Sequence, residues 1–315
     1  MKLRGFTMLV LVLVLSLSVV SARANILGTA DSYAVIAQTL ISNATTFGDT
    51  VITGSLGISP LGSCTGFAPV ACGSAAAGTI SGAININNGA AGTALADAET
   101  AEGALLATVI PAPTDLTGHV LGSLGFTSLA PGVYTFSSSA QLTGALTLAA
   151  GGNLAPLWIF ETVSTLTTAS NASVMVTDTT GGAGASAAGV YWVVGSQAIL
   201  GDNTAFLGNI LAETNITFDP GAQDTCGRAF ADTSVTFAGD NPAQLGGRPN
   251  VVSGTCAESS SGYNGGALSP TGPGGTPIVV GAAVPEPSTF ALVSSVLLAM
   301  VFLTFRKVRV SSLSL

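Results

Sequence analysis

Between Val190 and Gly239 apolar and polar residues alternate in units that recur along the chain. Val190-Tyr191-Trp192-Val193-Val194-Gly195-Ser196-Gln197-Ala198-Ile199-Leu200-Gly201 is followed nineteen positions on by Asn209-Ile210-Leu211-Ala212-Glu213-Thr214-Asn215-Ile216-Thr217-Phe218-Asp219. Nineteen further on comes Arg228-Ala229-Phe230-Ala231-Asp232-Thr233-Ser234-Val235-Thr236-Phe237. A period near twenty, strand-like and rich in Gly and Thr, predicts a solenoid in which each unit is one coil of a parallel β-helix. The alternation points Ile216, Phe218, Val235 and Phe237 inward, with Ile199 in the equivalent place. The positions between them face outward as two files, Ser196/Asn215/Ser234 and Ala198/Thr217/Thr236, on coils about 4.8 Å apart.

Looser copies precede these. Gly132-Val133-Tyr134-Thr135-Phe136 and Leu157-Trp158-Ile159-Phe160 read as strands, and matching Phe136 to Phe160 sets Leu142 against Leu166 and Thr143 against Thr167. Alternating runs at Ser32–Ala37 and Thr50–Pro60 predict short strands that close the first coils. Gly89 to Ile110 differs in kind: Ala90, Ala94, Ala98, Ala101, Leu105 and Ala107 are strong helix formers at helical spacing, and Pro111 and Pro113 stop the run. This predicts one long helix, about 89–110, lying against the solenoid. Its Asp97, Glu99 and Glu102 read as a solvated face.

The two ends are of another character. Residues 1–24 read as a secretory signal, with Lys2 and Arg4 before an apolar core and an Ala22-Arg23-Ala24 cleavage site. The solenoid is expected over 25–250. Residues 251–283 are rich in Gly, Ser and Pro and read as a linker. Residues 284–315 carry Val284-Pro285-Glu286-Pro287, an apolar run over 290–305, and Arg306-Lys307-Val308-Arg309, an order that suits a short membrane span with its basic end in the cytoplasm.

Charge narrows the function classes. The chain has 8 basic and 16 acidic residues, and between Asn25 and Ala283 the only basic ones are Arg228 and Arg248. Nucleic acid is excluded as a partner, because neutralising phosphates takes clustered Lys and Arg. A polysaccharide lyase needs a base beside clustered metal-binding acids, and Arg228, at a coil junction, reads as structural. The single histidine, His119, reads as a surface or packing residue. No motif asks for a cofactor, and no enzyme is expected. Four cysteines suit an exported chain. Cys64 and Cys72 bracket a short loop and Cys226 and Cys256 bracket the last coil, so pairing in that order is expected among the three connectivities possible. A metal site is the competing reading of these cysteines, against which their spacing argues.

Leu27-Gly28-Thr29-Ala30 with Ser32-Tyr33-Ala34-Val35-Ile36-Ala37 resembles the opening of the ice-binding-protein-like family, the discontinuous β-helix antifreezes and adhesins of cold-dwelling microbes. Gly54-Ser55-Leu56-Gly57-Ile58-Ser59-Pro60, Leu129-Ala130-Pro131-Gly132-Val133-Tyr134, Trp158-Ile159-Phe160 with Ser164-Thr165-Leu166-Thr167, and Gly208-Asn209-Ile210-Leu211-Ala212 resemble its later segments in order. The resemblance spans about Asn25 to Gly239. It implies an all-β-dominated, right-handed, discontinuous parallel β-helix of triangular section, with one α-helix packed alongside. It also implies a monomer that binds an ice crystal surface through one flat Thr/Ser-rich face. Carried over by position, that face comprises Thr143, Thr165, Thr167, Ser196, Ala198, Asn215, Thr217, Ser234 and Thr236. The other reading is a non-catalytic structural or adhesive component of extracellular polysaccharide. The tail resembles the bacterial PEP-CTERM sorting signal, which implies export, membrane contact through the tail alone, and processing near Pro285. A permanent anchor is the alternative for that segment.

Overall fold

A computed structural model describes residues 26–44, 50–68, 72–73, 78–108, 113–153, 156–177, 188–240 and 248–254, together with the short antiparallel pair Ala267–Leu268 and Ile278–Val279. The leader, most of the linker and the whole tail lie outside the described residues, including the apolar run 290–305. Among the described residues no helix is long and apolar enough to cross a membrane.

The chain first lays down β1 (Tyr33–Ala37), β2 (Leu40–Asn43) and β3 (Val51–Thr53), then β4 (Ser55–Ile58), β5 (Ser63–Thr65), β6 (Phe67–Ala68), β7 (Gly78–Ile80) and β8 (Ile84–Ile86). Helix α1 (Gly89–Leu106) carries it to β9 (Thr114–Asp115), β10 (Val120–Leu121) and β11 (Ser128–Leu129). The coils that follow are β12 (Gly132–Phe136), β13 (Ala140–Leu142), β14 (Ala145–Ala149); β15 (Leu157–Thr162), β16 (Leu166–Thr168), β17 (Ser173–Thr177); and β18 (Gly189–Val194), β19 (Ala198–Leu200), β20 (Ala205–Phe206). The last are β21 (Asn209–Ala212), β22 (Asn215–Phe218), β23 (Gln223–Asp224) and β24 (Ala229–Ala231), β25 (Ser234–Phe237), β26 (Val251–Ser253).

The coils lay their strands into three parallel sheets. Sheet A runs β8-β4-β1-β24-β21-β18-β15-β12-β9, sheet B runs β10-β13-β16-β19-β22-β25-β2-β5, and sheet C runs β11-β14-β17-β20-β23-β26-β3-β7-β6. The stack is therefore out of sequence order. The first coil sits on the last, with Val35 paired to Ala229, Leu40 to Ser234 and Val51 to Val251. Arg228 fastens this seam. Its guanidinium is buried, pairs with the Asp31 carboxylate, donates to Asp31 O from Nε at 3.0 Å and from Nη2 at 2.8 Å, and donates to Asn209 Oδ1 at 3.0 Å. The structural role expected for Arg228 is the one it has.

Inside the triangle aromatic rings follow one another up the coils. Tyr134 stacks on Phe160 at 5.4 Å and Phe160 on Trp192 at 3.9 Å, while Phe218 and Phe237 stack at 4.8 Å nearer the seam. Burying a ring of this size contributes about 1.5–3 kcal/mol by area alone. Both indole N–H groups are satisfied by carbonyls, Trp158 by Leu129 O and Trp192 by Leu207 O, which is what lets Trp lie in a dry core.

The middle strands of sheet A are buried on both sides. The outward residues Val133, Ile159, Tyr191, Val193, Leu211 and Phe230 lie beneath α1, which presents Ala94, Leu95, Ala98, Ala101 and Leu105 to them. Asn88 caps the helix, its Oδ1 accepting from Ala91 N–H at 3.0 Å. The helix ends at Leu106, short of the expected Ile110. Its acids are not all solvated as expected. Glu99 is exposed, but Asp97 accepts from the N–H and the hydroxyl of Thr29, both at 2.6 Å, and Glu102 is half-buried against sheet A. Cys64 is bonded to Cys72, as expected. Cys226 is disulfide-bonded too, and Cys256 lies outside the described residues.

Candidate functional site

One of the three sides is covered by α1, and no other helix among the described residues covers sheet B or sheet C. Sheet C presents a mixed row, Ala145, Ser173, Ala205, Gln223, Val251, Val51 and Thr79, and carries a charge at its edge. There Arg248 donates to Asn203 O at 3.1 Å and to Gln223 Oε1. Sheet B differs: none of its eight strands contains a charged residue.

The register of sheet B fixes its outward rows. The central row is Val120, Gln141, Thr167, Ile199, Thr217, Thr236, Ser42 and Thr65, one residue per strand. A second row, two residues earlier, aligns Asn215, Ser234, Leu40 and Ser63. Hydroxyls in these rows touch across coils: Ser234 Oγ donates to Asn215 Oδ1 at 2.8 Å, and Thr236 Oγ1 to Thr217 Oγ1 at 3.3 Å. These side chains are short, and the Thr ones β-branched, so they have few rotamers to lose, and their neighbours on a continuous sheet restrict them further.

Five of the nine expected positions lie on the strands of this face, and the other four are placed differently. Thr167, Asn215, Thr217, Ser234 and Thr236 all face outward on sheet B. Thr165 lies just before β16, its Oγ1 3.1 Å from Ser196 Oγ. Ser196 sits at the corner before β19 rather than in the row of Asn215. Thr143 is outward but follows β13 at the next corner; the residue level with Thr167 is Gln141. Ala198 is fully buried in the core, opposite Ile216, and Ile199 takes the outward place beside Thr217. The repeat explains the reversal. Tyr191 pairs with Asn209, eighteen positions on, whereas Ile210 pairs with Ala229, nineteen on, and a one-residue slip turns a strand over.

Four further face residues come from the first strands: Leu40, Ser42, Ser63 and Thr65. Their signal was present as alternation in burial around Ile41 and Cys64, each buried between more exposed neighbours.

Carboxylates line the two long edges of sheet B without entering it. Glu213 and Asp232 occupy the A/B corner, facing Glu99 and Glu102 of α1. Burial first, then Asp232, Glu213 and Glu99, push the Glu102 carboxyl up to about 7. Asp202 and Asp219 occupy the B/C corner, where burial and then Asp202 raise Asp219. A cleft of about 470 Å³ near the end of α1 is lined by Glu102, Asp115, Glu161 and Glu213 with Leu106 and Val163. It holds no histidine, and among the described residues no cluster of three or more His, Cys, Asp or Glu could hold a metal ion. His119 is exposed, its ring 4.4 Å from that of Phe126.

Known proteins share this arrangement. A family described as ice-binding-like matches residues 35–241. An ice-binding protein of Nostoc sp. (strain HG1) is 42% identical over 221 residues, covering 70% of this chain and 74% of that protein. Ice-binding protein K3-B1 of Typhula ishikariensis is 34% identical over 230 residues, covering 66% of this chain and 86% of its own length. The crystal structure of an ice-binding protein from the Antarctic ascomycete Antarctomyces psychrotrophicus superposes with a TM-score of 0.58 at 29% identity, over 72% of this chain and 96% of that one. With a three-sided solenoid closed out of sequence order, a helix along one side and a family match over most of the coils, the chain belongs to the ice-binding-like family.

Proposed function

We propose that this protein binds ice through the open side of sheet B, with Thr167, Thr217, Thr236, Ser42 and Thr65 at the centre of the contact and Asn215, Ser234 and Ser63 beside them. The observation that carries this reading is the uncharged, uncovered row of hydroxyl and methyl groups on a sheet whose counterpart, sheet A, is occupied by α1. A rigid ladder holds those groups in register before contact, so little side-chain entropy is lost when water freezes against them. The relatives named above as ice-binding proteins support the same reading. Thr143, Thr165 and Ser196 belong to the margin of the face, and Ala198 to the core.

The route is export. Residues 1–24 serve as the leader, and the tail from Val284 onward retains the chain at the membrane until it is processed near Pro285, after which the body acts outside the cell. Non-catalytic adsorption to ice then slows recrystallisation or tethers the cell.

Thr217→Tyr tests the face. The ring projects from the middle of the central row while Ile216 and Phe218 stay buried, so the fold is kept. Loss of recrystallisation inhibition and of crystal shaping is expected. Unchanged activity in a folded variant overturns the assignment to sheet B. A wild-type protein inert toward ice, yet bound by its host's extracellular polysaccharide, favours the matrix role instead.

A further inference from the structure

Ile199 stands alone among hydrogen-bonding neighbours. In the central row of sheet B, Thr217, Thr236, Ser42 and Thr65 supply hydroxyls on β22, β25, β2 and β5, four strands in succession. On the other side of Ile199, Thr167 supplies another on β16. Between them Ile199 offers no donor or acceptor, and its side chain reaches one carbon further from the backbone than Thr does. Its outward direction is fixed, because Ala198 and Leu200 on either side are fully buried.

We infer that Ile199 limits the strength of the ice contact by dividing the hydroxyl row of sheet B in two. The inference rests on the proposed reading of sheet B as the contact face. Water frozen against the face is matched over four successive strands, loses its partner at β19, and meets an isolated hydroxyl at β16. A hydroxyl at this one position joins the two parts into a row across six strands. Thr shares the β-branch of Ile and suits a strand equally well, and the inward neighbours are untouched, so the exchange leaves the coil intact.

The experiment is to compare the full-length protein with its Ile199→Thr, Ile199→Val and Thr217→Tyr variants. The readouts are the lowest concentration that halts ice recrystallisation and the thermal hysteresis at fixed concentration, with circular dichroism to confirm folding. One added hydrogen-bonding group is worth about two- to tenfold in an association constant, so Ile199→Thr is expected to lower that concentration about two- to tenfold. Ile199→Val removes the extra carbon without adding a hydroxyl and is expected to fall short of the gain of Ile199→Thr.

Unchanged or weaker activity in Ile199→Thr, with Thr217→Tyr inactive, overturns the inference while the face assignment stands. An equal gain in Ile199→Val also overturns it, since protrusion rather than the missing hydroxyl would then be the limit. If Thr217→Tyr and Ile199→Thr both behave as wild type, sheet B is not the contact face and both readings fall.

Discussion

Replacing Arg228 with Ala removes the fastening between the first coil and the last. The lost interactions include the pair with the Asp31 carboxylate and the bonds to Asp31 O and Asn209 Oδ1, all at a side chain that is 1% exposed. Breaking a buried ion pair by deleting one partner costs about 3–5 kcal/mol. Two features place this case at the lower end. Asp31 is 31% exposed and can take water in place of its partner, and the guanidinium itself resists burial, which lowers its pKa before Asp31 raises it again. A loss of about 3 kcal/mol corresponds to a fall of about 6–12 °C in Tm for a domain of this size. The loss is local. Native-state hydrogen exchange is expected to accelerate in β1, in β2 and at the corner between them, where the amide of Thr39 donates to Thr233 O at 2.9 Å across the seam, while β15 and β18 keep their protection. Arg228→Met, which keeps the apolar stem, gives a smaller fall than Ala. Uniform acceleration throughout the solenoid, or none at β1, refutes a role confined to the seam.

Two further outcomes follow from acids held near or within apolar surroundings. Glu102 titrates at about 7 in the folded chain against an ordinary 4.5, so the folded state holds its proton more tightly; stability is full below about 4.5, declines as pH rises to about 7, and is level above. Because the group is half-buried, screening reduces the effect to about 1 kcal/mol, and Glu102→Gln is expected to flatten the Tm profile between about pH 5 and 8. Asp224 is fully buried, its Oδ2 has no hydrogen-bond partner among the described residues, and burial raises its carboxyl well above the usual range. Asp224→Asn is therefore expected to match wild type near pH 4 and to melt higher at pH 7; a lower Tm at both shows that the carboxyl itself is needed.

The fold was largely legible because the periodic signal is physical: one strand per side, alternation within each strand, and a capped Ala-rich helix that cannot belong to a coil. The positions of the side chains on the face were less so. Gly132 pairs with Trp158, twenty-six positions on, while the match of Phe136 to Phe160 implied twenty-four. That slip of two kept Thr143 outward and moved it only along its strand. The slip of one at Ala198 reversed the strand, because Ala is small enough for either side and Ile199 looks like a core residue in a linear text. Corner length is set by turns of variable size, and nothing in alternation reports it. The alternation marked Ser42 and Thr65 as outward, but their place on the face depends on the first coil meeting the last.

That meeting sets the timetable of folding. Thr39 Oγ1 donates to Thr233 O across 194 residues, so the seam forms only when nearly all of the body is available. Closing so long a loop is slow, since the entropy of bringing the ends together is lost before any pairing offsets it. A chain synthesised from its first residue must hold β1 and β2 open until β24 and β25 arrive, with sheet edges bare in the meantime. The hydroxyl row of sheet B is completed only then, when Ser42 and Thr65 of the first coils join Thr236 of the last.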